Sequence, residues 1–298
     1  MDYDIELRPA DAGLEAGFPF RNFKGKVTLS GRVSPEGAHT LRHGLVQAQD
    51  FTINGLPVTW LSSPLVLTED SVSLGPITGR MANGTVSGTF KAALGKGGEY
   101  SGAFELKDAS VRQAAEELFG RKMGKTTGRA NGWIRFQGKG SDRAFLKGKG
   151  EIALSQSNLW EVPFFSSLIK TLSMGAVPGV DFTDSFAHFH INADRLEFTK
   201  AYFHSPVMNL DCASGMLFLD GRLDFIFKIS LFSSIMKWDP TGLTHEILKR
   251  VEGEFNAVRV TGTAKKVELE MAPLGVLKLK RALQGGEGEP PEGKTHSP

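Results

Sequence analysis

The chain has a single cysteine, Cys212, and only three tyrosines in 298 residues. One thiol excludes an internal disulfide framework and any cysteine-rich zinc module. No run of about 18 apolar residues occurs, so the sequence holds no membrane-spanning helix. The start, Met1-Asp2-Tyr3-Asp4-Ile5-Glu6, lacks the basic and apolar segments of a signal peptide. The expectation is therefore a cytoplasmic chain, or a piece of a longer protein whose targeting segment lies upstream. A net charge of +2 gives no global field that selects nucleic acid. Against these gaps stand 35 glycines and 21 phenylalanines, with 40% hydrophobic and 23% charged residues. That composition is neither a disordered tail nor a membrane bundle, and the length allows one large domain or two small ones.

Alternation of period two dominates. Ala130, Gly132, Ile134, Phe136 and Gly138 share one face, and Arg129, Asn131, Trp133, Arg135, Gln137 and Lys139 share the other, which is polar apart from Trp133. Leu146, Gly148, Gly150, Ile152 and Leu154 repeat the pattern against Lys147, Lys149 and Glu151. Val27–Val33, Leu223–Leu231 and Val258–Met271 continue it. Turn signals separate the runs, among them Ser34-Pro35-Glu36-Gly37, Asn83-Gly84 and Gly95-Lys96-Gly97-Gly98. Asn54-Gly55 and Asp220-Gly221 suit type I′ hairpins. Antiparallel strands with one apolar and one polar face follow.

Three short helices are expected among the strands. Asp108 caps the first, with Val111, Ala115 and Leu118 inward and Gly120 as its stop. Pro163 opens the second, which carries Phe164, Phe165, Leu168, Ile169 and Leu172 and ends at Gly175. Thr244 caps the third, with Ile247, Leu248 and Val251 inward. The second helix plugs a core or rests against lipid, and plugging is the default. The many glycines inside strands point to a strongly curved sheet or to ordinary bulges. The segment 285–298 has no apolar residue before its end and reads as a disordered tail.

Catalytic and cofactor patterns are weak. Gly120 and Gly124-Lys125-Thr126 stand one residue too close for a phosphate loop, and a strand follows them. Gly148-Lys149-Gly150 belongs to a strand and does not open a helix, which a dinucleotide fingerprint requires. His188 and His190 share a strand face, and His204, Asp211 and Cys212 are possible further metal ligands. The plainer reading is two histidines on a solvated face. No Gly-x-Ser-x-Gly elbow occurs, and Cys212 sits in an apolar strand as a buried thiol. Distant carboxylates acting as a glycosidase pair are left open. Residues 120–150 carry nine basic side chains against Asp142, a local excess of +8. This stretch either attracts anionic headgroups or is a solubilised strand face. It has few aromatics and no nucleic-acid recognition motif.

The order of elements resembles the AsmA-like C-terminal region of the AsmA/TamB-type bacterial envelope proteins. The resemblance is carried by 126–136 (TTGRANGWIRF), Gly138-Lys139-Gly140-Ser141-Asp142, Leu146–Ile152, the apolar helix from Val162 to Lys170, Asp220–Phe225 and Val258–Thr263. It covers about residues 126–272, with 1–125 as a β repeat region of the same kind, so the expected divisions are 1–125, 126–284 and 285–298. The resemblance implies an N-terminal helix in the inner membrane, absent from this chain, and a long periplasmic groove with an apolar floor that conducts phospholipid. The expected fold is mainly β: a curved, elongated antiparallel sheet forming an open groove, with about three short helices. The expected function is non-enzymatic and cofactor-free, with phospholipid and membrane or other envelope proteins as partners and no nucleic acid. Ile134, Phe136, Ile152, Leu154, Phe225, Phe227 and Ile229 are the expected lipid floor. Arg129, Arg135, Lys147 and Lys149 are the expected headgroup contacts. The alternatives are a structural envelope module that holds a protein through sheet edges or its basic face, and, more weakly, a polysaccharide-active enzyme. A sandwich would also satisfy the apolar faces, by supplying a second sheet.

Overall fold

Alternating side chains commit nearly all of the chain to strands, and the strands pair in the order in which they occur. The computed structural model describes residues 2–9, 12–15, 19–35, 39–53, 56–171, 181–206, 208–231, 256–263 and 265–285. The first strands are β1 (Asp2–Leu7), β2 (Ala12–Glu15), β3 (Pro19–Val33), β4 (His39–Ile53), β5 (Leu56–Leu67), β6 (Ser71–Met81), β7 (Gly84–Ala93) and β8 (Glu99–Ser110). Helix α1 (Val111–Phe119) leads to β9 (Arg129–Lys139) and β10 (Asp142–Ser157). Helix α2 (Pro163–Thr171) precedes β11 (Phe182–Asn192), β12 (Arg195–His204), β13 (Met208–Phe218) and β14 (Arg222–Leu231). The last elements are β15 (Ala257–Thr263), β16 (Val267–Ala272) and α3 (Leu274–Gly285).

One antiparallel sheet results. Fifteen strands follow one another along it, and β2 shares with β1 the outer edge of β3. No pairing among the described residues joins β1 to β16, so the sheet is an open, curved trough and not a barrel. It runs unbroken across residue 125, where β8 bonds β9. Both readings of the glycines hold. Register shifts bend several ladders, and glycine on one face lets the sheet close toward that face. No described helix is long and apolar enough to cross a membrane.

The two ends of the strands differ. Among the described residues one end carries tight connections, at 68–70, 94–98, 140–141, 193–194 and 219–221. The other carries the long ones through α1 and α2. Helix α1 is capped by Ser110, whose Oγ accepts the Gln113 N–H, and not by Asp108. Asp108 instead adopts φ 55° at a bulge in β8 and pairs with Arg129. Gly120 stops the helix in the left-handed conformation, as expected, but Leu118 is 43% exposed. Val111 and Ala115 alone supply its buried face.

The Asp220-Gly221 hairpin is also different from expectation. Only Gly221 has positive φ (92°), and its N–H donates to Phe218 O at 2.9 Å. That is a three-residue loop with a bulge glycine, not a type I′ turn. The two-residue turn with both central φ values positive is Ala82 (48°) and Asn83 (60°), one residue before the Asn-Gly signal. Asn54-Gly55, the Thr244 helix, Leu172, Gly175 and residues 286–298 lie outside the described residues. Helix α3 was not anticipated. Leu274, Leu277 and Arg281 recur at helical spacing after Pro273, which is the signal that marks it.

Candidate functional site: the apolar face of the sheet

Register places the side chains of the sheet in rows that run across the strands. One row passes from β5 to β16 through Leu65, Leu74, Phe90, Gly102, Phe136 and Gly148. It continues through Ile191, Leu196, Leu217, Leu223, Gly262 and Val267. The next row contains Ile77, Gly88, Phe104, Ile134, Gly150, Phe189, Phe198, Gly215, Phe225, Val260 and Leu269. Neither row holds a polar side chain. Each bulge adds its extra residue without carrying the apolar set to the wrong face, which a simple one-residue slip would do.

Glycine shapes this surface. Gly88, Gly102, Gly138, Gly150 and Gly215 each face an aromatic residue across the strand pair: Phe104, Phe136, Tyr100, Phe189 and Phe225. In each case the ring leans over the glycine, where an added Cβ would meet it within 2.6 Å. Phe198 and Phe225, two strands apart, bring their ring centroids to 5.0 Å over Gly215. The rings therefore lie down on the sheet and pave it with their faces, a low surface that packs by contact area without fixed polar partners.

All seven expected floor residues share this face. Ile152 is 37% exposed, and Ile134, Leu154 and Phe225 are half-buried. Phe136 is buried against Tyr100 and Phe104. Phe227 and Ile229 require a correction, because they are 4% and 3% exposed in the core beneath α2. Phe164 of α2 stacks on Phe227 at 5.4 Å, and Phe165 meets Phe182 and Phe203 at 4.9 and 5.1 Å. Helix α2 thus plugs the floor around β11–β16, while no second sheet faces the rest among the described residues. The sandwich alternative fails on that point.

The four expected headgroup contacts lie on the other face. Arg135 and Lys149 belong to the row Thr89, Ala103, Arg135, Lys149, His190, Glu197. Arg129 pairs with Asp108 at 3.5 Å and donates to its backbone oxygen. Arg135 stands over the Trp133 ring at 5.6 Å, and the Trp133 indole donates to Glu151 at 2.9 Å. Arg135, Lys91, Ser101 and Thr89 border a shallow depression of about 510 Å³, where β6 bulges at Gly75-Pro76. A ligand lying on the floor reaches this face only around the strand ends.

The remaining candidates are distributed between the faces. His188 shares a hydrogen bond of 2.6 Å with Thr199, and His204 one of 2.9 Å with Asp211, all on the polar face. Cys212 is on the apolar face, opposite Phe227, and burial pushes its thiol up to about 11. Among the described residues no three His, Cys, Asp or Glu side chains converge as a metal site. Three buried polar atoms lack a partner near α2: Ser157 Oγ, Ser185 Oγ and Trp160 Nε1. Asp224 holds Arg259 at 3.0 Å and Arg281 of α3 at 3.1 Å, which fastens α3 to the polar face. No protein-family model, curated protein or solved structure matches the chain.

Proposed function

We propose that this chain is a non-enzymatic, lipid-binding and lipid-conducting groove domain of the bacterial cell envelope. It would serve outer-membrane biogenesis or phospholipid transport as the periplasmic, AsmA-like part of a longer protein anchored in the inner membrane. The supporting observation is the pair of apolar rows that cross the sheet without a polar side chain and stay partly uncovered beyond α2. An open apolar surface of that extent needs a partner. Acyl chains supply one, each buried CH₂ contributing about 0.8 kcal/mol. They need no fixed hydrogen bonds, and the paved floor offers none. Helix α2 closes part of the trough and packs against the cluster that Leu154 joins, so the ligand path is β5–β10, with Ile134 and Ile152 as open floor and Phe136 beside them.

A photo-crosslinker placed at Ile152 and, separately, at Lys149 tests the reading in living bacteria. The two positions sit on opposite faces of one strand. Phospholipid adducts at Ile152 and none at Lys149 are expected. Adducts at Lys149 alone, or at neither, reject a lipid floor. A second reading, a module that docks an envelope protein, draws on the polar row through Arg135, Lys149 and His190. Protein adducts at Lys149 that vanish at high salt would favour it.

A further inference from the structure

We infer that the tight-turn end of β7–β10 is a docking edge for an anionic lipid bilayer. The inference deepens the groove reading by saying where the trough meets a membrane. Two turns meet there, since the Gly140 N–H donates to Gly98 O at 2.9 Å. Turns are ordinarily polar, yet Leu94 and Phe145 project at this rim with 47% and 54% of their surface exposed. Phe145 precedes Leu146, which is fully buried in the floor cluster with Phe136 and Ile191, so alternation along β10 turns the exposed ring away from the floor, to the side of Lys147. The turn that holds Leu94 offers only Lys96 among glycines. Residues 94–99 and 139–147 together carry four basic side chains (Lys96, Lys139, Arg143 and Lys147) against Glu99 and Asp142.

Acidic turns flank the patch on both sides, with Glu69 and Asp70 before it and Asp194 after it. Lys265 and Lys266 stand farther along the same rim, but among the described residues no exposed large apolar side chain accompanies them, so charge and apolar side chains combine in the middle. Two protruding apolar side chains cannot make an interface of the roughly 1,000 Å² that a stable protein complex needs. They do suit an acyl boundary, which takes inserted rings without shape complementarity, while neighbouring lysines and arginines hold the headgroups.

Sedimentation of the full chain with vesicles tests this. Phosphatidylcholine vesicles in which a third of the lipid is phosphatidylglycerol should carry the protein down about tenfold more strongly than phosphatidylcholine alone. The double variant Leu94→Asp, Phe145→Asp should lose that binding with an unchanged melting temperature, because both side chains are outside the core. Lys96→Glu with Arg143→Glu should lose it as well. Wild-type protein that stays in solution, or a double variant that sediments like wild type, overturns the proposal. So does a wild-type dimer in solution that Phe145→Asp dissolves, which would make the patch a contact between copies. Phospholipid content of the same samples, read by native mass spectrometry, separates the two ideas. Bound lipid without vesicle binding removes the docking edge alone, and vesicle binding without bound lipid removes the floor alone.

Discussion

A ring laid over a glycine is a coupled pair, and the coupling is measurable. Gly215 is one such case. An added Cβ would meet Phe225 ring atoms at 2.5 and 2.6 Å and Cys212 Sγ at 3.0 Å, with no backbone atom among its three nearest neighbours. Gly215→Ala should therefore destabilise the protein by about 1–3 kcal/mol, read from the denaturant midpoint. Combined with Phe225→Leu, the loss should be smaller than the sum of the single losses, because the shorter side chain vacates the contested space. Simple additivity would mean that the ring and the glycine do not share that space. At Gly150 the same substitution also meets Trp133 O at 2.6 Å, so shortening Phe189 should rescue it poorly.

At the scale of elements, α2 is held by more than its phenylalanines. The Glu161 carboxylate accepts N–H bonds from Lys125 at 2.7 Å and Thr126 at 2.9 Å, and a bond from the Thr126 hydroxyl. Arg121 donates to the Glu161 backbone oxygen at 2.6 Å. The clamp ties the start of α2 to the loop that follows α1. Burial pushes the Glu161 carboxyl up, but these hydrogen bonds outweigh it and leave the group below its ordinary 4.5. A lowered value in the folded state means stability that is present above 4.5 and lost as pH falls through the folded value. The melting temperature of wild type should fall on acidification below 4.5 more steeply than that of Glu161→Gln. Parallel curves would show that the clamp contributes nothing.

The strands and the two faces were legible because a period of two is local information. The α1 cap was misplaced because Asp108 and Ser110 are both competent caps, and only the bulge that takes Asp108 into β8 decides between them. Which part of the floor lies open depended on where α2 lands. Phe227 and Ile229 match Ile134 and Ile152 in pattern, and only tertiary packing separates covered from open positions. The headgroup set lies off the floor for a plainer reason. Arg135 and Lys149 alternate with Ile134 and Gly150, so their own periodicity puts them behind the floor.

As a whole molecule the chain exposes far more surface than a globule. Its accessible area is 17532 Å². A folded chain of 32.3 kDa exposes about 12,300 Å². Fifteen strands in sequence make fourteen spacings of ~4.8 Å, an arc of about 67 Å. Small-angle scattering should accordingly give a radius of gyration clearly above the ~19 Å of a compact chain of this length. A value near 19 Å would require the trough to be folded shut in solution.

Strand order that copies chain order has a thermodynamic corollary. From β4 onward each ribbon is zipped only to the one before and the one after it, so order spreads along the sheet as in a one-dimensional lattice, with no closing bond among the described residues to enforce all-or-none melting. Under stress such a molecule unravels from its margins, and the block pinned between α2 and α3 should be the last to let go.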